Sequence, residues 1–373
     1  MPVTNKVKGI EGVKEYLKKL LEEGIVDEIL IPKLNSAKDN YIQTLVSSAE
    51  MLDGTNPFVP VILVQTGRIA KNLTFTKSGK KLLIIAKPCE IKAIVELTKF
   101  KQVNLDDCFL MAVDCIGTYE VNDFQEILLN NEDYINNFIS KYNSGDTKSV
   151  EGYSFRKTCT MCDVPATSLN LVDAVLGYFG SENNEVMIIA KDDSKLKDSI
   201  ENQNIDLSKR EGIINKIKDE KSRQKKDILE SFRKETSSLE SLQKIFSKCI
   251  RCHNCMVACP ICYCKECVFR SPTFDHSADM ITGWAERKGA LRMLENTLMF
   301  HLTRLNHMSS SCIACGLCSS ACPNNIDVST VFISVADNVQ KMLEYKAGES
   351  FDEPAPVTTF RENELVAEAG TNE

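Results

Sequence analysis

Two cysteine runs of identical spacing constrain this chain more than anything else in it. Each reads C-x2-C-x2-C-x3-C-P: Cys249, Cys252, Cys255, Cys259 and Pro260 in the first, Cys312, Cys315, Cys318, Cys322 and Pro323 in the second. Three thiolates so closely spaced wrap three corners of a [4Fe–4S] cube, and in tandem motifs the fourth cysteine of each run ligates the other cube. The spacing therefore assigns Cys249, Cys252, Cys255 and Cys322 to one cube, and Cys312, Cys315, Cys318 and Cys259 to the second. Structural zinc is the competing reading of paired C-x2-C spacings. Two complete copies, each ending in Cys-Pro, favour the cubes. A chain built around such centres moves electrons.

The rest of the composition narrows the setting. At 373 residues there is room for two or three domains and a sizeable core. A net charge of −7 gives no general attraction to nucleic acid or anionic membrane, and no helix-turn-helix pattern supports a DNA-binding regulator. No run of about 18 apolar residues offers a membrane span. The opening MPVTNKVKGIEGVKEY lacks the apolar centre of a signal peptide, so a cytoplasmic setting is expected, and exposed-cluster chemistry adds the expectation of an anaerobic one. In such a chain sixteen cysteines point to metal thiolates rather than disulfides.

Periodicity predicts an α/β fold: an N-terminal parallel-sheet domain over 1–205, then a bacterial-type double [4Fe–4S] ferredoxin domain with a helical insertion. Helical spacing covers 11–24 and 36–52. Short, β-branched apolar runs at 25–32, 59–66, 81–87, 108–114 and 185–191 read as strands, most of them covered on both faces. Helical stretches at 91–100 and 122–142 make the connections, and strand, helix, strand in this order implies parallel pairing. Residues 206–247 read as a charged linker of one or two exposed helices. Its basic run Lys221–Lys226 is more simply a solvated face than a docking patch for an acidic partner. The two-cluster domain spans 248–340, with an insertion at 283–308. There Leu291, Leu294, Leu298 and Leu302 recur at helical steps and predict one amphipathic helix. A helix is expected over 329–345, and 341–373 form a polar, acidic C-terminal tail, irregular towards its end.

Four more cysteines sit where an α/β domain places ligands. Cys89 follows the strand at 81–87, Cys115 follows the strand at 108–114, and Cys159 and Cys162 form a C-x2-C pair. Loops beyond the carboxyl ends of parallel strands converge on a binding crevice. These four are therefore candidate ligands of a third [4Fe–4S] cluster, with zinc or free thiols as the alternatives. Cys108 begins a strand and is most simply an apolar core residue. Cys262, Cys264 and Cys267 lie directly behind the first motif, either replacing an assigned ligand or standing unligated beside the cluster. His253 lies inside the first run and His307 just before the second, and either could hydrogen-bond a cluster sulfur, against packing or exposure as the simpler roles. No Ser/His/Asp or paired-carboxylate arrangement stands out, so no catalytic side chain is named.

Several of these segments resemble one family. KPCEIKAI (87–94) is similar to the T-P-C-x-x-x-A-I segment of the beta subunits of coenzyme F420-reducing hydrogenases and dehydrogenases. DCIGT (114–118) and RKTCTMCDVPATSLNLVDAVLGYFG (156–180) resemble further cysteine segments of that family. The tandem region, with PICYCKEC and LTRLNHMSSSCIACGLCSSACPNNI, is similar to the formate dehydrogenase beta subunits within it. The resemblance spans roughly 80–330. It implies an electron-transfer subunit of a hetero-oligomeric oxidoreductase, carrying FAD beside its clusters. Such a subunit works between a catalytic partner, such as formate dehydrogenase or hydrogenase, and a carrier such as coenzyme F420, NAD(P)H or another redox subunit. The alternative is a flavin-free iron–sulfur wire or scaffold in a heterodisulfide-reductase-like or electron-bifurcating complex. Lys87, Thr118 and Lys157, placed after strands, are the candidate flavin or phosphate contacts, with surface salt bridges as their other role. The family's N-terminal G-G-x-x-[ST]-A type segment is not visible in residues 1–80, and no G-x-G-x-x-G dinucleotide fingerprint occurs in the chain.

Overall fold

The structure is a computed structural model, and it describes residues 2–76, 79–131, 133–274, 277–290 and 296–360. Its frame is a seven-stranded mixed sheet: β1 (Val3–Lys8), β2 (Glu28–Leu34), β3 (Tyr41–Val46), β4 (Leu82–Ala86), β5 (Cys108–Val113), β6 (Ala174–Gly177) and β7 (Glu185–Ala190), in the order β1-β7-β6-β5-β4-β2-β3. The centre, β2-β4-β5-β6, is parallel as the apolar runs require. Both margins are antiparallel: β3 folds back on β2, and β7 and β1 close the other side. The sheet is thus parallel only in its middle.

Two expectations fail at its margin. The stretch 36–52 carries β3 and a short 3-10 turn at Ala49–Leu52 where a helix was expected. The cause is local: the Asn35 side chain accepts from the Asp39 and Asn40 amides, turning the chain into a hairpin. The run 59–66 forms no strand, although Val59, Val61 and Ile62 are buried. Pro60 has no N–H for a ladder, and its carbonyl accepts from Tyr119 N instead.

Helices cover both faces. On one lie α1 (Gly9–Glu22), α4 (Val121–Asn130) and α5 (Phe138–Tyr142); α1 buries Val13, Tyr16, Leu17 and Leu20, each worth roughly 1.5–3 kcal/mol for an apolar side chain of this size. On the other lie α2 (Thr66–Thr74) and α3 (Pro88–Lys99), and that core runs on without a break into the C-terminal region through Phe246, Met256, Phe300, Val331 and Phe332. A single turn, α6 (Lys157–Thr160), carries Cys159.

The charged linker forms α7 (Ser208–Glu235) and α8 (Leu239–Ile245). Most of α7 faces solvent, yet four of its residues are buried and it fastens three parts together. Arg210 forms a buried two-pronged ion pair with Asp114 at the end of β5, with Nη2 2.6 Å from Oδ1. Lys221 is buried and donates to the Ile116 carbonyl, so the solvated-face reading of Lys221–Lys226 fails at its first residue. Further along, Arg233 donates to Asp337 at 3.0 Å.

The C-terminal region contains α9 (Asn254–Ala258), α10 (Ala278–Lys288), α11 (Thr297–Met308), α12 (Leu317–Ser320) and α13 (Val328–Met342). The expected single helix at 283–308 is divided: α10 stops at Gly289, whose φ of +66° ends a helix without steric cost, and α11 starts at Thr297. Leu291 and Leu294 lie outside the described residues. Leu302 is exposed, and the buried face of α11 is Phe300, His301, Arg304, Leu305 and Met308. The expected C-terminal tail is irregular but anchored: the Tyr345 hydroxyl and Gly348 N both donate to Glu96 of α3, the latter at 2.8 Å, and Ala355 is buried. Residues 361–373 lie outside the described residues. Among the described residues no helix is long and apolar enough to cross a membrane.

Asp114 also accepts from the amides of Tyr178 and Phe179 at 2.9 and 3.1 Å, so Arg210 neutralises a carboxylate locked into the sheet. Removing one partner of such a pair leaves a buried charge and costs about 3–5 kcal/mol. Arg210→Leu should lower the unfolding free energy read by urea titration by that amount, whereas Lys209→Leu, which removes only a surface pair with Glu182, should leave it nearly unchanged.

Candidate metal centres

Twelve cysteines fall into three groups of four, each around its own cavity. The first cavity is walled by Cys249, Cys252, Cys255 and Cys322, the second by Cys259, Cys312, Cys315 and Cys318, and the third by Cys89, Cys115, Cys159 and Cys162. They hold about 350, 430 and 380 Å³ of space, including the part open to solvent. The fourth cysteine of each tandem run crosses to the other run's cavity, as the spacing implies. Among the described residues no three His, Cys, Asp or Glu side chains close on one point tightly enough for a single metal ion.

The tandem runs are also alike in backbone. Arg251 and His253 have φ of +53° and +62°; Ala314 and Gly316, at the same places in the second run, have +55° and +77°. Alternating right- and left-handed residues turn successive amides to one side, a concavity that suits anions. In the first run this aims Arg251 N at Cys249 Sγ, 3.4 Å away, and Ile326 N lies 3.4 Å from Cys322 Sγ.

Side chains that the sequence did not single out complete the first cavity. Arg304 of α11 donates Nη1 to Cys255 Sγ at 3.2 Å and Nη2 to the Cys255 carbonyl at 3.2 Å, and it walls the second cavity as well. His301, one turn earlier, stacks on Phe246 with ring centres 3.7 Å apart and places Nε2 3.4 Å from Cys249 Sγ. Burial, then the nearby Arg304 and Arg251, push the His301 pKa down to about 3, so the ring is neutral at physiological pH. A metal-bound thiolate has no proton to give, so beside a ligated Cys249 the Nε2 would carry the proton and donate to the sulfur. His301 therefore takes the role considered for His253 and His307. His253 lies over Phe300 with a buried Nε2 lacking a partner, and His307 is exposed on another cavity wall.

The third cavity is set by the sheet. Cys115 follows β5, and Cys89 sits in the first turn of α3, where the helix dipole favours negative charge. Thr118 donates its amide to Cys159 Sγ at 3.4 Å, and its hydroxyl accepts from Arg156 Nε at 2.8 Å. Burial alone would raise the Cys159 thiol; Arg156, Thr118 and Lys221 outweigh it and hold the pKa below its ordinary value. Five other thiols go the opposite way. Burial pushes Cys115 and Cys315 to about 12 and Cys312 to about 11, and lifts Cys89 and Cys318 well above the ordinary range. Sulfurs like these are neutral unless a metal takes the place of the proton.

The second and third cavities share Cys315 and Ala314 as wall residues. At this seam Gly316 packs so closely on α6 that an added Cβ would stand 2.6 Å from Thr158 Cβ. The Thr158 hydroxyl donates across the seam to Ser329 Oγ at 3.1 Å.

The three flavin candidates do not share one pocket. Lys87 is buried on the wall of a fourth cavity, which adjoins the third at Ile62 and is formed with Tyr41, Gln43 and Glu90. Thr118 is committed to Cys159 and Arg156. Lys157 is half exposed in an ion pair with Asp327 at 2.6 Å. Cys108 is partly buried against the core with its Sγ 3.6 Å from the Asn104 carbonyl, as a core thiol would be.

Cysteine-lined cavities stacked beside an α/β sheet are the build of an iron–sulfur oxidoreductase subunit. Residues 245–326 match the 4Fe-4S dicluster domain family. Over 375 residues, 90% of this chain and 91% of the other, the chain is 29% identical to the F420-dependent formate dehydrogenase subunit beta of Methanocaldococcus jannaschii. Over 374 residues, 92% of each chain, it is 26% identical to the F420-dependent formate dehydrogenase 1 subunit beta of Methanococcus maripaludis. A chain of the F420-reducing [NiFe] hydrogenase complex from Methanosarcina barkeri superposes over 64% of this chain and 94% of that one, with a TM-score of 0.42 and 12% identity. The resemblance to formate dehydrogenase beta subunits thus extends over nearly the whole chain.

The seam at Gly316 yields a direct test. Gly316→Ala forces a side chain into the left-handed region and against Thr158, a cost of about 2–4 kcal/mol. The urea midpoint should fall accordingly, and adding Thr158→Ala should recover part of the loss. An unchanged midpoint would mean that the seam is loosely packed.

Proposed function

We propose that this chain is the electron-transfer subunit of a cytoplasmic, multi-subunit oxidoreductase, working between a catalytic partner of the formate dehydrogenase type and coenzyme F420. The observation that supports it most is the sorting of twelve cysteines into three adjoining cavities of four. On this reading Cys249, Cys252, Cys255 and Cys322 hold one [4Fe–4S] cluster, Cys259, Cys312, Cys315 and Cys318 a second, and Cys89, Cys115, Cys159 and Cys162 a third. Clusters supply single-electron steps, and FAD supplies the exchange between single electrons and a two-electron carrier.

The chain's own residues define what such groups would experience. His301, Arg304 and the Arg251 amide hydrogen-bond sulfurs of the first set, and hydrogen bonds to ligating sulfur raise a cluster's potential. Arg304 stands between the first and second sets, and Cys315 between the second and third, so the three sets form a continuous series. Buried Phe300 and Phe332 give the first and second cavities an apolar wall.

For FAD, the cavity beside the third set offers a fitting wall. Gln43 Oε1 is buried there without a hydrogen-bond partner, and Lys87 contributes a buried cation. An unpaired acceptor suits the N–H edge of a flavin ring, and a cation favours its reduced, anionic form. Lys87 and Gln43 are the proposed contacts. Thr118, already hydrogen-bonded to a cysteine sulfur, would serve the third cluster, and Lys157 would remain a surface ion pair.

In the complex purified under anaerobic conditions, Cys252→Ser and Cys315→Ser should each abolish formate-dependent F420 reduction, with at least a hundredfold loss on the order expected for a broken ligand set. The α/β domain should stay folded by circular dichroism. Full turnover in either variant would refute the assignment.

A further inference from the structure

Apart from the core thiol Cys108, three cysteines take no part in the four-cysteine cavities. Cys262, Cys264 and Cys267, spaced C-x-C-x2-C, all line another cavity, one holding about 1220 Å³ of space including its open mouth. It lies against the second set: Pro260, Arg304 and Met308 wall both. Between Cys262 and Cys267 the chain has neither helix nor strand. The loop is pinned from outside. Lys71 of α2 donates to the Tyr263 carbonyl at 3.2 Å and lies over the Tyr263 ring, and Lys265 lies over the ring of Phe75. Besides these two lysines, Arg68 and Arg270 bring positive charge to the same walls.

We propose that Cys262, Cys264 and Cys267 bind a further iron–sulfur cluster through three thiolates, with one iron left facing the open cavity. Three soft donors on one wall select iron–sulfur or zinc centres. The wall shared with the second cysteine set favours a cluster over zinc, and metal content separates the two. Ligation replaces three thiol protons with iron, and the resulting negative charge of thiolates and inorganic sulfide meets Arg68, Lys71, Lys265, Arg270 and Arg304, with Glu266 the one carboxylate on the cavity wall. The shared wall puts this centre next to the second set. The iron without a protein ligand would be open to a small anionic ligand drawn in by Arg68, Lys71 and Arg270.

The test compares the anaerobically purified complex with one carrying Cys262→Ala, Cys264→Ala and Cys267→Ala together, and with Cys264→Ala alone, which changes an exposed side chain. The triple variant should lose about four irons and four sulfides per chain, one cube's content, while keeping the electron paramagnetic resonance signals of the remaining clusters. Unchanged iron would overturn the proposal, and so would loss of one zinc with iron unchanged. A second readout does not depend on the triple variant's folding. In the native complex Cys264 should resist alkylation by iodoacetamide until iron is chelated, and immediate alkylation would equally overturn the proposal. The readout is a difference between variants, so it stands whether or not the other three sets each hold a cube.

Discussion

Buried thiols have to face one another in fours, and each four draws on segments far apart in the chain. Cys322 closes the cavity of the first run and Cys259 that of the second, so neither run is complete without the other. The third set brings together the ends of two strands' connections and α6. Burial raises the pKa of Cys89, Cys115, Cys312, Cys315 and Cys318, so without a metal these thiols keep their protons and contribute little beyond apolar burial. With one, ligand binding and folding become a single equilibrium, as in other metal-dependent domains. The long charged helix α7 follows from the same demand. It anchors to Asp114 by the sheet, reaches the third cavity with Lys221 and fastens α13 through Asp337, holding the two halves in register.

That geometry explains what could be read from residues alone. Metal chemistry fixes ligand spacing within a few residues, so the runs at 249–260 and 312–323 revealed their grouping and even their crossing. Cys89 and Cys115 were legible because short apolar runs mark strands and ligands gather at their ends. The central strands were legible for the same reason. Side chains that act across the fold were not. His301 and Arg304 reach Cys249 and Cys255 from α11, and nothing in LTRLNHM announces which side of the helix is buried. Leucine periodicity placed Leu298 against the core correctly but Leu302 faces out, and an arginine and a histidine with sulfur partners fill the buried face beside Leu298. Lys221 was hidden likewise, since a lysine run ordinarily faces water, and the Ile116 carbonyl, 105 positions away, and the third cavity that hold this one inside come to it only in the fold. The hairpin at β3 depended on one asparagine side chain, and the anchored tail depended on Glu96, 249 positions before Tyr345.

The electrostatics are divided along the series. Around the first set the buried partners are an arginine and a neutral imidazole. Around the third they are Arg156, Lys221 and the amino end of α3. Positive charge and donors of this kind stabilise the more negative, reduced state of a bound centre. Both ends of the series are thus tuned by residues that come from outside the cysteine motifs.

Crossed ligation is the central claim, and one pair of variants tests it directly. His301→Phe keeps the stack on Phe246 but removes the donor to Cys249, which should shift the reduction potential of the first-run cluster alone; a hydrogen bond of about 1 kcal/mol corresponds to roughly 40 mV for one electron. Cys322→Ser should then abolish the paramagnetic signal that His301→Phe shifts, and leave the signal of the Cys312, Cys315 and Cys318 cluster in place. If Cys322→Ser instead removes the second-run signal and spares the one His301 governs, the crossing is wrong.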